Sequence, residues 1–302
     1  MKKVVRMLGL CALVALAFTA CKKNETNSAL TFKATINQPT SDSRTHINEA
    51  NMLAWDENDN ILVFDNAAAN YDFTVGIIGE KLDYADYQGV FEIPAGEKAE
   101  FMKDLDKSEK YWAYYPNAEL DNSIVKLQVP ATQQFASEGS ILPNVYPMFA
   151  TNNLDNFPFL SDAGILRIKL KKNANYEPDV IVTKLVLRAE GDDLAGEMLY
   201  PYNNPADYSK GNTLYDEITL NCVDPETGDG VEVLPGAYDV NFNFVVLKGA
   251  LQGAFTVEIY TADDAENPFE VLTSGTQLNH SIEAMRITEM GSKTIPSATV
   301  AK

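Results

Sequence analysis

The chain has 302 residues, of which 45% are hydrophobic and 22% are charged, so it has enough apolar material to bury the cores of about two ordinary domains. Its formal net charge of -19 at pH 7 repels the phosphates of nucleic acids and of anionic lipids. We therefore exclude nucleic acid as a partner.

The first twenty residues have the pattern of an export signal. A positive start, MKKVVR, precedes an uncharged apolar run that ends at Ala20. This run is shorter than the roughly 20 residues that a membrane-spanning helix needs, which favours a secretory signal. The stretch FTAC, with Phe18 where leucine is more common, resembles a bacterial lipobox. The resemblance implies removal of residues 1–20 and lipidation of Cys21; a plain signal with an incidental cysteine is the alternative.

A short polar segment follows the predicted lipidation site. Residues 21–28, CKKNETNS, offer no large apolar side chain for packing and predict a flexible tether. Several acyl chains, at about 0.8 kcal/mol for each buried CH₂, would anchor the mature chain stably. We therefore predict an exported lipoprotein held at a membrane surface.

Cysteine and histidine are scarce in the predicted mature chain. After Cys11 leaves with the signal and Cys21 takes the lipid, Cys222 has no cysteine partner, so no disulfide framework is expected. The two histidines, His46 and His280, are far apart and lack metal-type spacing. The sequence thus predicts no catalytic residue, no metal site and no cofactor, and we do not expect an enzyme.

From residue 29 onward the apolar pattern is that of β-strands. The stretch ALTFKATI places four apolar residues on one face: Leu30, Phe32, Ala34 and Ile36. Further runs of strand length, such as ILRIKLKK and YDVNFNFVVLK, alternate with turn signals such as DPETGDG. This pattern predicts an all-β chain built from two tandem antiparallel β-sandwich domains.

The polar stretch TNNLDN, after residue 150, interrupts the apolar rhythm and predicts a domain boundary. We expect an N-terminal domain over residues 29–160 and a C-terminal domain over residues 161–302. Within the first domain, Gln133 and Gln134 are predicted to lie in a loop and to pair with backbone groups.

Four aromatic residues of the first domain support two interpretations. Trp55, Trp112, Tyr114 and Tyr115 are expected as core and rim aromatics of a sandwich, because aromatic rings bury large areas. The alternative is an exposed platform on which sugar rings stack. The first interpretation requires buried rings, and the second requires exposed ones.

An ordered series of motifs behind the lipobox carries a family resemblance. The motifs of the first half are SRTHI, MLAWDENDNILVF, YWAYYPNA, VPATQQFASEGS and PMFATN, and those of the second half are ILRIKLKK and VEVLPGAYDVNF. In this order they resemble the fimbrillin-like lipoproteins, which are subunits of the type V pili of Gram-negative anaerobes. The resemblance spans most of residues 29–290.

This resemblance implies two transthyretin-like sandwiches and assembly by strand exchange. An arginine-specific protease would cut between Arg44 and Thr45 and release residues 29–44, of which ALTFKATI is the plug strand. A strand donated by another subunit would then fill the groove. The implied partners are other pilus subunits, the outer membrane through the lipid anchor, and a host or bacterial surface ligand. The implied location is the outer membrane and the cell surface.

Two alternatives concern processing and role. Arg44 can instead be a solvated loop residue of a lipoprotein that is never cut. The final stretch, GSKTIPSATVAK, has sparse apolar residues, and Pro296 cannot donate to a ladder, so it predicts a poor donor strand. We therefore expect a tip or accessory subunit. The competing function is a monomeric surface lipoprotein that binds glycan through the aromatic platform.

Overall fold

The computed structural model describes residues 30–36, 55, 59–64, 77–85, 88–93, 110–116, 118–136, 141, 145–153, 156–236, 239–274 and 281–297. These residues form twenty strands and one 3₁₀ turn, Pro205–Asp207. The prediction of an all-β chain is therefore confirmed. Within these ranges no helix has the length and apolarity required to cross a membrane.

The strands are numbered in chain order. They are β1 Leu30–Ile36, β2 Asn60–Phe64, β3 Ile77–Ala85, β4 Gln88–Ile93, β5 Tyr111–Tyr115, β6 Glu119–Asp121, β7 Ile124–Val129, β8 Thr132–Gln134, β9 Met148–Asn152, β10 Asn156–Phe159, β11 Ala163–Lys172, β12 Ile181–Arg188, β13 Ala195–Pro201, β14 Ser209–Tyr215, β15 Glu217–Asn221, β16 Val231–Glu232, β17 Val240–Leu247, β18 Thr256–Thr261, β19 Glu270–Thr273 and β20 Ile287–Ile295.

The first sheet contains seven strands in the order β10-β1-β4-β3-β2-β5-β9. Its two end strands, β9 and β10, are joined by a bridge between Phe149 and Leu160, whose backbone groups exchange hydrogen bonds of 2.8 and 2.7 Å. The path of strands therefore returns on itself. The predicted strand ALTFKATI forms β1 in this sheet.

The second half of the chain contributes most of the other three sheets. Their strand orders are β14-β13-β7-β6 for the second sheet, β17-β11-β20 for the third and β19-β18-β12-β15-β8 for the fourth, in which β16 also pairs with β12. Most pairs are antiparallel, as predicted, but β1–β10, β11–β20 and β8–β15 are parallel. Each parallel pair joins strands that are distant in sequence, so no tight hairpin fixes their relative direction.

The third and fourth sheets contact each other across an apolar core. Phe135, which follows β8, packs its ring 5.3 Å from that of Phe242 in β17. The prediction that Gln133 and Gln134 lie in a loop is wrong, because both residues belong to β8. Their side chains do bond to backbone groups, as predicted: Gln133 contacts Val245, and Gln134 donates to the carbonyl oxygen of Val223.

The first and second sheets meet at a set of rings that we call the aromatic seam. Tyr114 donates its hydroxyl to the carbonyl oxygen of Tyr202 at 2.9 Å. The rings of Tyr200 and Tyr202 pack 5.2–6.3 Å from those of the first sheet. The members of the seam are Phe64, Trp112, Tyr114, Phe149, Tyr200 and Tyr202.

Strand pairing crosses the domain boundary predicted at residue 160. Strands β7 and β8 precede that point, yet they pair with β13 and β15, which follow it. The division into domains of residues 29–160 and 161–302, and the transthyretin-like topology of each, stay predictions.

Candidate strand slot

Strand β1 lies inside the first sheet with a neighbour on each side. Residues 30–35 are antiparallel to β4, opposite residues 88–93, and residues 33–36 are parallel to β10, opposite residues 156–159. The backbone of β1 is therefore paired along both of its edges. We call the place between β4 and β10 that β1 occupies the strand slot.

Within the strand slot, Ala34 is fully buried and lies opposite Gly89 in β4 and Phe157 in β10. The indole nitrogen Nε1 of Trp55 donates a hydrogen bond of 3.2 Å to the carbonyl oxygen of Ala34. A Cβ atom added to Gly89 would lie 3.1 Å from Cδ1 of Trp55 and 2.8 Å from Cε2 of Phe91. Glycine is therefore required opposite Ala34 because the two rings fill the space there.

Three other rings hold Trp55 in position. Phe91, Tyr115 and Phe159 each meet the indole edge-on, with ring centroids 5.2, 5.4 and 5.2 Å away. Edge-on aromatic pairs of this kind contribute about 0.5–1.5 kcal/mol each beyond the area that they bury. The indole is therefore a fixed part of the wall of the strand slot.

A buried carboxyl group, that of Asp59, bonds to one of the rings that hold Trp55 in position. Asp59 is 4% exposed, and its Oδ1 accepts a hydrogen bond of 2.6 Å from the hydroxyl of Tyr115. This short bond sets the orientation of the Tyr115 ring, which in turn contacts Trp55. The bond connects Asp59, which directly precedes β2, to the wall of the strand slot.

Loss of β1 would change the first sheet in two ways. The facing edges of β4 and β10 would lose their backbone partners, and unpaired strand edges are sites at which another strand adds. The aromatic wall around Trp55 would also become open to water, which is unfavourable at about 25 cal/mol for each Å² of apolar surface. A replacement strand would reverse both effects.

The structure describes the side-chain burial of two of the four predicted plug residues and the backbone of all four. Ala34 and Ile36 are 0% and 2% exposed, and both belong to the apolar core. For Leu30 and Phe32 the backbone positions in β1 are described. The predicted lipidation site Cys21 and the predicted cleavage site at Arg44 and Thr45 lie outside the described residues.

The four rings of the predicted glycan platform are all buried. Trp55, Trp112, Tyr114 and Tyr115 are between 0% and 4% exposed. Trp55 and Tyr115 face the strand slot, whereas Trp112 and Tyr114 face the aromatic seam. A stacked sugar needs an open ring face, and these rings have their faces covered by protein. Their burial matches the interpretation as core aromatics.

Sequence reasoning did not single out several residues that line the strand slot. Gly89, Phe91, Phe157 and Phe159 all contact or oppose β1 or Trp55. The alternation in NFPF, residues 156–159, was a usable sign of a strand with Phe157 and Phe159 on one face. Its parallel pairing with β1, about 120 residues away in sequence, had no local sign.

Burial raises the pKa of two titratable groups that lie away from the strand slot. Burial raises the pKa of the Cys222 thiol well above its usual value, so this thiol is inert in the folded chain. Burial, with smaller effects of the Asp162 and Asp193 carboxylates, raises the pKa of Tyr208 to about 12. Among the same residues, no three His, Cys, Asp or Glu side chains come together to hold a metal ion.

Comparison with known proteins gives a likeness in structure without one in sequence. No family model and no curated protein matches the chain. A candidate cell adhesion protein from Bacteroides uniformis is similar in structure, with a TM-score of 0.53, 15% identity, and coverage of 88% of this chain and 93% of that one. A second one, from Bacteroides ovatus, has a TM-score of 0.51, 13% identity, and coverage of 88% and 92%. At these identities the likeness concerns the fold.

Proposed function

We propose that this chain is a structural and adhesive subunit of a cell-surface fimbria of the type V pilus class, exported as a lipoprotein anchored at Cys21. Three lines of support agree. The order of sequence motifs resembles the fimbrillin-like lipoproteins, the start of the chain resembles a lipoprotein signal, and the fold is similar to two Bacteroides proteins described in connection with cell adhesion.

The observation that carries this proposal is the position of β1 between β4 and β10. A terminal strand can be exchanged when its loss leaves a groove that is ready to accept another strand, and the strand slot meets that requirement on both edges. The plug strand is also a short stretch at the start of the described chain, so one cut behind it separates it from the rest.

A cut after Arg44 is the proposed trigger. Before the cut, β1 is tethered to the sheet, and its effective concentration at the strand slot is high. After the cut, only non-covalent contacts hold the segment, so its release becomes a true dissociation. A donated strand from another subunit, present at high local concentration during assembly, then competes for the strand slot.

A tip or accessory role is supported by the way in which the last described strand is held. Strand β20 pairs in parallel with β11, and Ile295 at its end is fully buried. Beyond it, Ser297 donates its hydroxyl and its backbone N–H to the carboxylate of Glu270 at 2.6 and 3.1 Å. A strand that completes its own sheet in this way is not free to serve as a donor. We therefore propose that the chain accepts a strand and displays an adhesive surface.

The test is cleavage of the chain from Lys22 onward with an arginine-specific protease under native conditions. Only four arginines follow Lys22: Arg44, Arg167, Arg188 and Arg286. Arg167 and Arg188 lie within strands, and the carbonyl oxygen of Arg286 accepts a hydrogen bond of 2.8 Å from the backbone N–H of Ile165 in β11. We expect one early cut, which releases residues 22–44, followed by oligomers or by a less stable first sheet.

The matched control is Arg44→Lys, which keeps the charge and removes the recognised residue. This variant should stay whole and monomeric under the same conditions. Intact mass and size-exclusion chromatography report both outcomes. A chain that resists cleavage at Arg44, or that is cut there and keeps its stability and its monomeric state, would overturn the proposed exchange.

A further inference from the structure

The strand slot differs from a uniform apolar groove at one point, which we call the small-residue position. It is the place of Ala34, between Gly89 and Phe157. Residues directly opposite each other on antiparallel strands direct their Cβ atoms to the same face, about 4.5–5.5 Å apart. A Cβ added at Gly89 would meet Trp55 and Phe91, so the Cβ of Ala34 points toward the same crowded region.

The crowding at this position cannot be relieved by a small shift of Trp55. The indole is fixed by edge-on contacts to three rings, those of Phe91, Tyr115 and Phe159. It also donates its Nε1–H to the backbone of Ala34 itself. A larger side chain at this place would have to displace the indole, lose this hydrogen bond and disturb the three aromatic pairs.

The neighbouring positions of β1 are far more permissive. Ile36, two residues further on the same face, is 2% exposed, so a large branched side chain fits there. Lys33, on the opposite face of the strand, is exposed. The strand slot therefore accepts different side chains at different positions of the strand. It accepts a small residue at the place of Ala34, a large residue two positions later, and varied residues on the exposed outer face.

We propose that the strand slot selects its donor by size. The partner is an extended segment of another subunit with a residue no larger than alanine at the small-residue position and a large apolar residue two positions later. This rule rests on the proposed function, because it describes which strand replaces β1. It also fixes register: a slip of two residues would bring the counterpart of Ile36 beneath Trp55, where it does not fit.

The test uses peptides, so that the protein itself stays unchanged at the strand slot. A protease-recognition sequence inserted between Asn37 and Gln38 makes release of β1 independent of Arg44. After cleavage and removal of β1 in mild denaturant, three labelled peptides are compared by fluorescence anisotropy. They are residues 29–36 as they stand, the same peptide with Ala34→Leu, and the same peptide with Lys33→Leu.

We expect the native and the Lys33→Leu peptides to bind alike and the Ala34→Leu peptide to bind about tenfold more weakly or worse, as overpacking of a rigid core predicts. Equal binding of all three would overturn the size rule and leave strand exchange intact. If the native peptide also fails to bind, the exchange proposal itself is contradicted. The size rule is then tested by the stability of variants of the intact chain.

In the intact chain the same substitutions are compared by thermal unfolding, with Ala34→Val added in case Ala34→Leu does not fold. The size rule predicts a clear loss of stability for both Ala34 variants and little change for Lys33→Leu. It also predicts that, in a chain with Trp55→Ala, the difference in thermal stability between alanine and valine at position 34 becomes smaller. Ala34 variants as stable as Lys33→Leu would overturn the rule without reference to exchange.

Discussion

The hydrogen bond between Tyr115 and Asp59 joins two buried side chains in the wall of the strand slot. The acceptor is a carboxyl group that is 4% exposed, and it lies 2.6 Å from the tyrosine hydroxyl. Loss of a donor to a buried polar group costs about 1–3 kcal/mol, because water cannot replace the donor. We therefore expect Tyr115→Phe to lower the free energy of unfolding by that amount, as measured by chemical denaturation.

The chain contains a matched control for this substitution. Tyr260 also donates its hydroxyl to a carboxylate, that of Glu258, at 2.7 Å. The side chain of Glu258 is 21% exposed, so water can take the place of the lost hydroxyl. Tyr260→Phe should cost less than about 1 kcal/mol. Equal effects of the two substitutions would contradict the role assigned to burial of Asp59.

The sequence predicted some of these residues and could not predict others. The alternation in ALTFKATI was sufficient to place Ala34 and Ile36 inward, because the side-chain direction in a strand depends only on parity. It could not identify Gly89 as the neighbour of Ala34, or Trp55 as the ring above both residues. Those relations depend on which strands pair, which is a long-range property of the chain.

Strand β17 shows how a side chain can complete the edge of a sheet. It is an end strand of the third sheet, so the outward N–H and C=O of Val245 have no strand partner there. The side-chain amide of Gln133 takes that place: Nε2 donates to the carbonyl oxygen of Val245 at 2.8 Å, and Oε1 accepts from its N–H at 2.9 Å. One buried side chain thus connects β8 to the opposite sheet.

We expect Gln133→Leu to lower the free energy of unfolding by about 2–4 kcal/mol, since it leaves two buried backbone groups without these partners. Gln134→Leu is the control, because Gln134 makes a single bond of 2.7 Å, to the carbonyl oxygen of Val223, and is only half-buried. It should cost about 1 kcal/mol. Urea denaturation of both variants measures the difference, and similar costs would rule out the proposed edge-completing role.

Strands β5 and β11 depart from the simple alternation of a sandwich. In β5, YWAYY, all five residues are buried, because one face lines the strand slot and the other joins the aromatic seam. In β11, Arg167 occupies a position that alternation marks as polar, yet it is 4% exposed and donates to Asn243 at 3.0 Å. Alternation predicts the two faces of a strand, but not whether a second layer covers the outer one.

Sheet pairing and the aromatic seam join the two halves of the chain into a connected body. Strands β7 and β8 pair with strands of the second half, and Tyr114 of the first sheet bonds to the backbone of Tyr202. Partial unfolding of either half would therefore remove strand partners from the other. We predict that the chain unfolds in one cooperative transition, which is the two-state behaviour usual for smaller domains.

The chain carries its own reporters for this prediction. Its only tryptophans, Trp55 and Trp112, lie in the first sheet or against it, and in the chain from Lys22 its only thiol is that of Cys222. The Cys222 thiol is buried after β15 of the fourth sheet, so it reacts with a maleimide only when that sheet opens. Tryptophan fluorescence therefore reports on the first sheet, and pulsed thiol labelling reports on the fourth.

We expect the two probes to give the same midpoint in urea. The aromatic seam joins the first sheet to the second, and the consecutive strands β7 and β8 pair with β13 of the second sheet and β15 of the fourth. A fluorescence change that precedes thiol labelling would mean that the first sheet unfolds alone, and the coupling would then be too weak to join the halves. Weakening the seam with Tyr202→Ala provides the internal check. A cooperative chain should show both midpoints shifting downward together, whereas independent halves should show a shift in one probe and not in the other.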